Sequence, residues 1–114
     1  MADCLFCRIV EKKIPAKIVF EDGLALAFED LNPQAPVHVL VVPKKHLPTL
    51  NDLKEPDEAT AGHLLAVAAR VARERGVAET GYRIVVNTNR DAMQSVFHVH
   101  MHVLGGRGLD WPPG

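Results

Sequence analysis

The segment of this sequence richest in chemistry is a run of alternating histidines near its C-terminal end. His98, His100 and His102 are separated by single apolar residues, Val99 and Met101. Successive side chains of a β-strand point to opposite faces, so this spacing predicts a strand with three imidazoles on one face. Imidazole titrates near neutral pH and serves as a nucleophile, a proton carrier or a metal ligand.

Two kinds of chemistry fit such a row, and a purely structural role is disfavoured because burying three rings without use is costly. In the first, His98 and His100 bind one metal ion, as in the three-histidine zinc sites of hydrolases. In the second, one ring is a covalent nucleophile and its neighbours handle protons. The first and third rings lie roughly 13 Å apart along an ideal strand, so one ion cannot hold all three.

The histidine run and several motifs around it resemble the histidine-triad (HIT) family of nucleotide hydrolases and transferases. Residues 98–104 fit the family pattern His-φ-His-φ-His-φ-φ, where φ is apolar. The resemblance covers nearly the whole chain and points to the Hint branch, the purine-nucleoside phosphoramidases. The motifs that carry it are Ile14-Pro15-Ala16-Lys17, residues 32–36, Val42-Pro43-Lys44-Lys45-His46, Gln94-Ser95-Val96 and the tail from Leu104 to Gly114.

The resemblance implies a role for each polar side chain around the reacting phosphorus. His100 matches the family's nucleophile, which attacks the α-phosphorus of a nucleoside 5′-phosphoramidate and forms a nucleotidyl-imidazole intermediate. His102 and Ser95 match positions near the leaving group, where a donor protonates the departing amine. His98 and His38 flank the nucleophile and are expected to hold its tautomer and its hydrogen bonds.

The resemblance also implies a nucleotide-binding set. Asn87, Ser95 and the backbone N–H of Val96 are the candidates for binding the phosphate, in the manner of an oxyanion site. Asp30 matches the family's ribose-binding acid, although a role in the turn before Asn32 competes with this on sequence alone. Further residues match the apolar slot for the purine, although each alone would be assigned to the core. They are Phe6, Ile9, Ile14, Phe28 and Leu31.

A pair of cysteines raises the question of a metal. Cys4 and Cys7 form a Cys-x-x-Cys motif, which by itself is weak evidence. Some HIT-family members pair such cysteines with two histidines, and the resemblance implies a closed structural zinc site made of Cys4, Cys7, His46 and His98. The alternative is two reduced, partly buried thiols. Under the nucleophile hypothesis catalysis itself requires no cofactor.

One segment departs from the family pattern. The loop before Gln94 and Ser95 is usually rich in glycine, but residues 87–93 of this chain contain none. Glycine permits positive φ and a close approach of the backbone to a ligand. The departure leaves the preference for the leaving group open.

Length and composition limit the remaining possibilities. A chain of 114 residues, 47% hydrophobic, predicts one domain over 1–114 with a C-terminal arm over about 105–114. No apolar run approaches the roughly 20 residues of a membrane span, and the start of the chain lacks the features of a signal peptide. A net charge of −1 without a basic block argues against nucleic-acid polymers as partners but not against one nucleotide, an AMP or GMP derivative. Two close cysteines fit a reducing cytoplasm.

The pattern of apolar residues predicts an α+β fold, a five-stranded, largely antiparallel, meander-like sheet with one main helix on one face. Strands are expected over 17–21, 24–29, 37–42, 82–87 and 97–104, with a short helical turn over about 4–11. The main helix should begin near Pro56 and end at Gly76. Its predicted apolar stripe is Ala61, Leu64, Leu65, Ala68, Val71 and Ala72, and the predicted core side of the histidine strand is Phe97, Val99, Met101 and Val103.

The edges of so small a sheet need protection, and the resemblance implies two sheets joined across a two-fold axis. We therefore expect a homodimer in which the Trp111-Pro112-Pro113 arm reaches toward the partner's site.

The function expected from these observations is hydrolysis of the P–N bond of purine nucleoside 5′-phosphoramidates through a nucleotidyl-histidine intermediate. The alternatives are a dinucleoside polyphosphate hydrolase of the same family and a nucleotide-binding scaffold protein with slow turnover. A third is a metallohydrolase, a metal-dependent hydrolase that uses His98 and His100 as ligands. The base preference, the leaving amine and any protein partner are left open by the sequence.

Overall fold

A computed structural model of the chain describes residues 3–114. Met1 and Ala2, part of the start on which the prediction about a signal peptide rests, lie outside the described residues. Within 3–114 the chain forms two α-helices and five strands, together with three 3₁₀ turns. In chain order the regular elements are α1 (Leu5–Val10), β1 (Ile18–Glu21), β2 (Ala25–Glu29), β3 (Val37–Pro43), α2 (Glu58–Glu74), β4 (Tyr82–Val85) and β5 (Met101–Gly105).

The five strands make one sheet in the order β1-β2-β3-β5-β4, and all neighbours are antiparallel. The predicted fold class is confirmed. The meander holds only for the first three strands, because β5 inserts between β3 and β4. This insertion places the histidine segment beside β3, which carries His38, and not at an edge.

Alternation along the strands gives the sheet two different faces. One face packs against α2 and forms a closed core, in which Ala25 and Ala27 of β2 lie beside Val39, Val41 and Val103. The other face packs against the short helix α1. Its buried apolar residues are Phe6, Ile9, Leu26, Phe28, Leu40 and Val42. Since α1 has only six residues, it leaves part of this second face uncovered.

Helix α2 ends as predicted and begins slightly later. Pro56 lies in a 3₁₀ turn, Glu55–Asp57, that leads into the helix, and Gly76 follows its end with a φ of 76°. The predicted apolar stripe is wrong at one position. Leu65 is half-exposed, while Val67 is buried, because the side facing the sheet follows the positions 64, 67, 68 and 71.

The histidine strand is shorter than predicted. Regular pairing with β3 begins at the pair Val41 and Met101, so that His102 is the only one of the three histidines in β5. Just before it, the Val99 N–H donates to the Leu47 carbonyl at 2.7 Å and not to a neighbouring strand. This contact with a loop ends the ladder.

The predicted core side of this segment is correct at three positions of four. Val99, Met101 and Val103 are buried, whereas Phe97 is 50% exposed and is not a core residue. Three other strands are also shorter than expected, and one of them is β2, which begins at Ala25 and not at residue 24. β1 begins at Ile18 and not at residue 17, and β4 ends at Val85 and not at residue 87.

The C-terminal segment lies along β4, an edge of the sheet. The Arg83 guanidinium donates to the carbonyls of Leu109, at 3.4 Å, and Asp110, at 3.0 Å. It also lies 6.0 Å from the centre of the Trp111 ring, which is 81% exposed. None of the helices within residues 3–114 is long and apolar enough to cross a membrane.

We expect Gly106→Ala to destabilise the fold by about 1–3 kcal/mol. Gly106 has a φ of 90°, which disfavours any Cβ, and an alanine Cβ would lie 2.9 Å from the Pro36 Cβ. Gly108→Ala is the matched control, since a Cβ there meets open space, and it should change the free energy of unfolding by less than about 0.5 kcal/mol. Urea denaturation measures both. Equal effects of the two substitutions would contradict the close packing of Gly106 on Pro36.

Candidate active site

Five of the six histidines of the chain lie in one continuous row on the α1 side of the sheet. The rings of His46 and His98 are 5.1 Å apart, as are those of His38 and His102. His100 lies between these pairs, 5.0 Å from the His102 ring. Phe6 of α1 packs edge-on against both His98, at 6.1 Å, and His100, at 5.0 Å. The predicted row therefore forms even though the strand that carries it is short.

The tautomer of His100 is fixed by a backbone carbonyl. His100 Nδ1 lies 2.8 Å from the carbonyl oxygen of His98. A carbonyl only accepts, so Nδ1 carries the proton and donates it. The lone pair of a neutral His100 is therefore on Nε2, the nitrogen with no hydrogen-bond partner among residues 3–114. The contact that orients His100 comes from the backbone of His98.

A second chain of hydrogen bonds fixes His102. The backbone N–H of Gln34 donates to His38 Nδ1 at 3.0 Å, so a neutral His38 carries its proton on Nε2. That nitrogen donates to His102 Nδ1 at 2.9 Å, which leaves the His102 proton on Nε2. His38 thus supports His102 and not His100. Neighbouring rings present an acceptor, His100 Nε2, and a donor, His102 Nε2–H.

Asp30 lies at the end of this chain. One carboxylate oxygen lies 3.4 Å from His38 Nε2, and the other accepts from the Asn32 N–H at 2.8 Å. Asp30 therefore has the predicted turn role, and its carboxylate also lines the cavity described below.

Asp30, His38 and His102 together have the ligand types of a two-histidine, one-carboxylate metal site, with their atoms within 4.8 Å of one another. The hydrogen bond from Gln34 argues against this use. A metal on His38 Nε2 would require the proton on Nδ1, where the Gln34 N–H already donates. Asp30, His38 and His102 are therefore linked as a chain of polar side chains.

Burial keeps these rings neutral. It lowers the pKa of His100 below its usual value, against a smaller opposite effect of the bond to the His98 carbonyl. Burial, together with smaller contributions from His100 and His38, lowers the pKa of His102 to about 4. The pKa of His38 is also lowered by burial, although Asp30 opposes this. At neutral pH the His100 ring is therefore unprotonated at Nε2, as a nucleophile must be.

The rings open onto a cavity of about 250 Å³ between α1 and the sheet. His100 and His102 line it together with Ser95, Val96 and Asp30. Its other walls are largely apolar, and they are Leu5, Phe6, Ile9, Ile14, Pro15, Ala16, Phe28, Glu29, Leu31 and Leu40. The volume and the apolar lining suit a planar ring system with a polar group at the histidine end.

Two predicted nucleotide-binding residues differ from the rest of their set. Leu31 lies at the rim of the cavity and is 98% exposed, so it is not a core residue. Asn87 follows β4 and is not among the residues that line the cavity. Gln94, which was given no role from the sequence, is buried directly beside Ser95. The signal available in the sequence was the position of this amide residue directly before Ser95, a candidate site residue.

The other end of the row meets the cysteines. His98 Nε2–H donates to the Pro43 carbonyl at 2.7 Å, which turns the Nδ1 lone pair toward Cys4 Sγ, at 3.3 Å, and Cys7 Sγ, at 3.5 Å. His46 Nδ1 lies 3.3 Å from Cys7 Sγ and 3.2 Å from His98 Nδ1. All four ligand atoms lie within 4.8 Å of one another, so this cluster can bind a metal ion.

The spacing fits tetrahedral coordination. Zinc–nitrogen and zinc–sulfur bond lengths place two nitrogens about 3.3 Å apart and a nitrogen and a sulfur about 3.5 Å apart. Without a metal, burial and the neighbouring Cys4 raise the pKa of the Cys7 thiol to about 11. A bound cation would reverse this preference and favour the thiolate.

We expect the free energy of unfolding to fall as the pH is lowered from about 6.5 toward 4. The unfolded chain binds protons on His38 and His102 in this range, whereas the folded chain keeps these rings neutral. His102→Gln should reduce the slope of stability against pH by up to about 1.4 kcal/mol per pH unit. Urea denaturation of both proteins at several pH values measures this. Parallel curves from pH 6.5 to 4 would contradict it, and parallel curves above pH 7.5 are the internal control.

Comparison with known proteins agrees with this geometry. The HIT domain family matches residues 11–109. The chain is 51% identical, over 98% of its length and 97% of the relative's, to an uncharacterised HIT-like protein of Synechocystis sp.. It is 46% identical, over 94% of its length and 90% of the relative's, to a purine nucleoside phosphoramidase of Escherichia coli.

Solved structures give the same result. A HIT family hydrolase from Legionella pneumophila superposes with a TM-score of 0.96 at 48% identity, over 98% of this chain and 100% of that one. A histidine triad protein from Clostridium difficile superposes with a TM-score of 0.93 at 43% identity, over 96% of each chain. With its row of histidines beside a largely apolar cavity, this chain belongs to the HIT-domain family.

Proposed function

We propose that this protein hydrolyses the P–N bond of purine nucleoside 5′-phosphoramidates through a nucleotidyl intermediate on His100. The observation that carries the proposal is the bond from His100 Nδ1–H to the His98 carbonyl, which leaves Nε2 unprotonated at the cavity. A relative that is 46% identical carries the name of this activity, which supports the choice of substrate.

In the first step His100 Nε2 attacks the α-phosphorus, and the P–N bond breaks. The amine leaves with the bonding electron pair and takes up one proton from solvent, which the second step returns, while His102 Nε2–H donates a hydrogen bond on this side. The His100 ring becomes a phosphorylated imidazolium, and its Nδ1–H bond to the His98 carbonyl stabilises the positive charge.

In the second step water attacks the same phosphorus, and the P–Nε2 bond breaks. The electron pair returns to the His100 ring, the water proton is released to solvent, and the nucleoside monophosphate leaves. His98 and His38 contribute by holding the tautomers of His100 and His102. Burial lowers the pKa values of His100 and His102, so both rings are neutral. A neutral His100 can attack the phosphorus in the first step, and it leaves the phosphorus as a neutral ring in the second.

The cavity is the proposed binding site for the nucleotide part of the substrate. The purine would lie in the apolar part, against Phe6, Ile9, Ile14 and Phe28, with Leu31 at the open rim. Asp30 would accept from the ribose hydroxyls. Ser95 and the Val96 N–H would bind the phosphate beside His100, with Asn87 as a more distant candidate.

We further propose that Cys4, Cys7, His46 and His98 hold a structural zinc ion. Four protein ligands leave no position for water, so the ion would supply rigidity and no step of the reaction. His98 would then join the two sites, since its ring binds the ion and its carbonyl orients His100. Cys4 and Cys7 form no disulfide, and a reducing compartment keeps them available as metal ligands, which favours the cytoplasm.

A homodimer is the third part of the proposal. Among residues 3–114, β4 pairs only with β5, so its outer edge is open for pairing in the part of the chain that the structure describes. Arg83 holds the C-terminal arm beside this edge, where Trp111 is exposed. A second copy across a two-fold axis would cover both features.

His100→Ala should lower hydrolysis of adenosine 5′-phosphoramidate below about 1% of the wild-type rate, a loss of more than about 2.7 kcal/mol. AMP should still bind within about three-fold, because the substitution removes the nucleophile and leaves the apolar walls. His63→Ala is the matched control, since His63 lies on α2 and pairs with Asp22 away from the row. More than 1% residual rate would exclude His100 as the nucleophile.

For the metal, the expected result is about one zinc per chain after growth with zinc, measured by elemental analysis. Cys4→Ser should lower the melting temperature more than it lowers the rate. Less than half a zinc per chain would return both cysteines to the role of reduced thiols. Complete loss of hydrolysis on chelation, with recovery on adding zinc, would instead support the metallohydrolase.

Sedimentation at micromolar concentration tests the assembly, and we expect the mass of two chains. A monomer would contradict the proposed dimer. Removal of residues 110–114 should change the rate or the substrate preference while the dimer persists. If neither changes, the arm has no role at the partner's site, although the dimer itself would stand.

A further inference from the structure

Gln94 is a buried amide that the reaction does not use, and it makes three side-chain hydrogen bonds. Its Oε1 accepts from the Asn89 N–H at 2.9 Å. Its Nε2 donates to the carbonyls of Pro48, at 2.8 Å, and Val96, at 3.1 Å. The Gln94 side chain therefore connects the backbone of Asn89, Pro48 and Val96 around Ser95.

We propose that Gln94 is a positioning residue, which holds the glycine-free loop 89–93 in a strained conformation and thereby places Ser95 and Val96 against the substrate phosphate. This inference rests on the proposed function, since it concerns the phosphate side of the same site.

The loop is strained at two residues that are not glycine. Asn89 has φ 66° and ψ −166°, a region that glycine occupies almost exclusively. Met93 has φ 60° and ψ 41°, the left-handed helical region. Between them lies the 3₁₀ turn Arg90–Ala92. Such conformations persist only where the surroundings hold them, and Met93 itself is 83% exposed and gains little from packing.

Gln94 makes the hydrogen bonds that hold Asn89 in its strained conformation. Its side chain accepts from the Asn89 N–H, and its own backbone N–H donates to the Asn89 carbonyl at 3.1 Å. Both backbone polar groups of the most strained residue are therefore bound by one neighbour. A glycine at position 89 would need no such support.

The other half of the amide connects the loop to the histidines. Gln94 Nε2 binds the Pro48 carbonyl, and the adjacent Leu47 carbonyl accepts from the Val99 N–H at 2.7 Å. Val99 lies between His98 and His100. Two consecutive carbonyls thus hold the segment that carries Ser95 and the segment that carries the nucleophile, which fixes their relative position.

Loss of the amide should therefore affect one side of the cavity only. Ser95 and Val96 line the cavity together with His100, whereas the apolar walls come from α1, the segment between α1 and β1, β2 and Leu40 of β3. Displacement of Gln94 should weaken contacts to a phosphate and leave contacts to a nucleoside unchanged.

Gln94→Met tests this, because it keeps the side-chain length and removes all three bonds. We expect kcat for adenosine 5′-phosphoramidate to fall at least ten-fold and AMP to bind at least three-fold more weakly by calorimetry. Adenosine, which lacks the phosphate, should bind within two-fold of wild type. Asp91→Ala is the matched control in the same loop, since its side chain is exposed and pairs with the neighbouring Arg90. It should leave all three quantities unchanged.

A second substitution separates positioning from simple loss of stability. Asn89→Gly removes the strain that Gln94 holds, so the double variant Asn89→Gly, Gln94→Met should recover at least a third of the lost kcat. Gln94→Glu serves where Gln94→Met does not fold, because a carboxylate can accept from Asn89 but cannot donate to Pro48 or Val96. It should show the same separation between AMP and adenosine.

The inference is overturned if the Gln94 variants weaken AMP and adenosine equally, if kcat stays within two-fold of wild type, or if Asn89→Gly gives no recovery. Absence of phosphoramidate hydrolysis by the wild-type protein would refute the proposed function instead. The comparison of AMP with adenosine would still decide the role of Gln94, because it measures binding alone.

Discussion

The hydrogen bond from His100 Nδ1 to the His98 carbonyl is the constraint on which the rest of the site depends. It selects one of the two neutral tautomers of the ring, and only that tautomer presents a lone pair to the cavity. The carbonyl can hold this position because the His98 ring is itself held on both nitrogens. Pro43 accepts from one, and the other faces the cluster of Cys4, Cys7 and His46.

The two faces of the sheet divide stability and chemistry between them. Against α2 the strands bury a closed apolar core, whose small residues Ala25 and Ala27 let the helix approach closely. Against α1 the cover is only six residues long, so the sheet keeps an open cavity with buried histidines along it. The well-packed face stabilises the positions of β3 and β5, and through them the register that sets His38 beside His102.

Features that depend on local sequence could be predicted, and features set by distant contacts could not. The pattern of apolar residues located all five strands, and the glycine after α2 located its end. The length of β5 could not be predicted, because the bond between Val99 and Leu47 that shortens it joins residues far apart in the chain.

The site shows the same division. The spacing of the histidines indicated one row, and the structure places the His100 ring 5.0 Å from the His102 ring. Which group orients which ring depends on a backbone carbonyl and on the Gln34 N–H, neither of which a residue type reveals. The role proposed for Gln94 depends on backbone angles at Asn89, where the sequence showed only that glycine was missing.

The central claim is that the nucleotide is transferred to His100 before it reaches water. Its most direct test is rapid acid-free quenching of the protein during turnover of adenosine 5′-phosphoramidate, followed by peptide mass spectrometry. We predict one nucleotidyl group attached to the peptide that contains His100, present during turnover and lost when the substrate is consumed. Turnover without such an adduct, or an adduct on another residue, would contradict the mechanism.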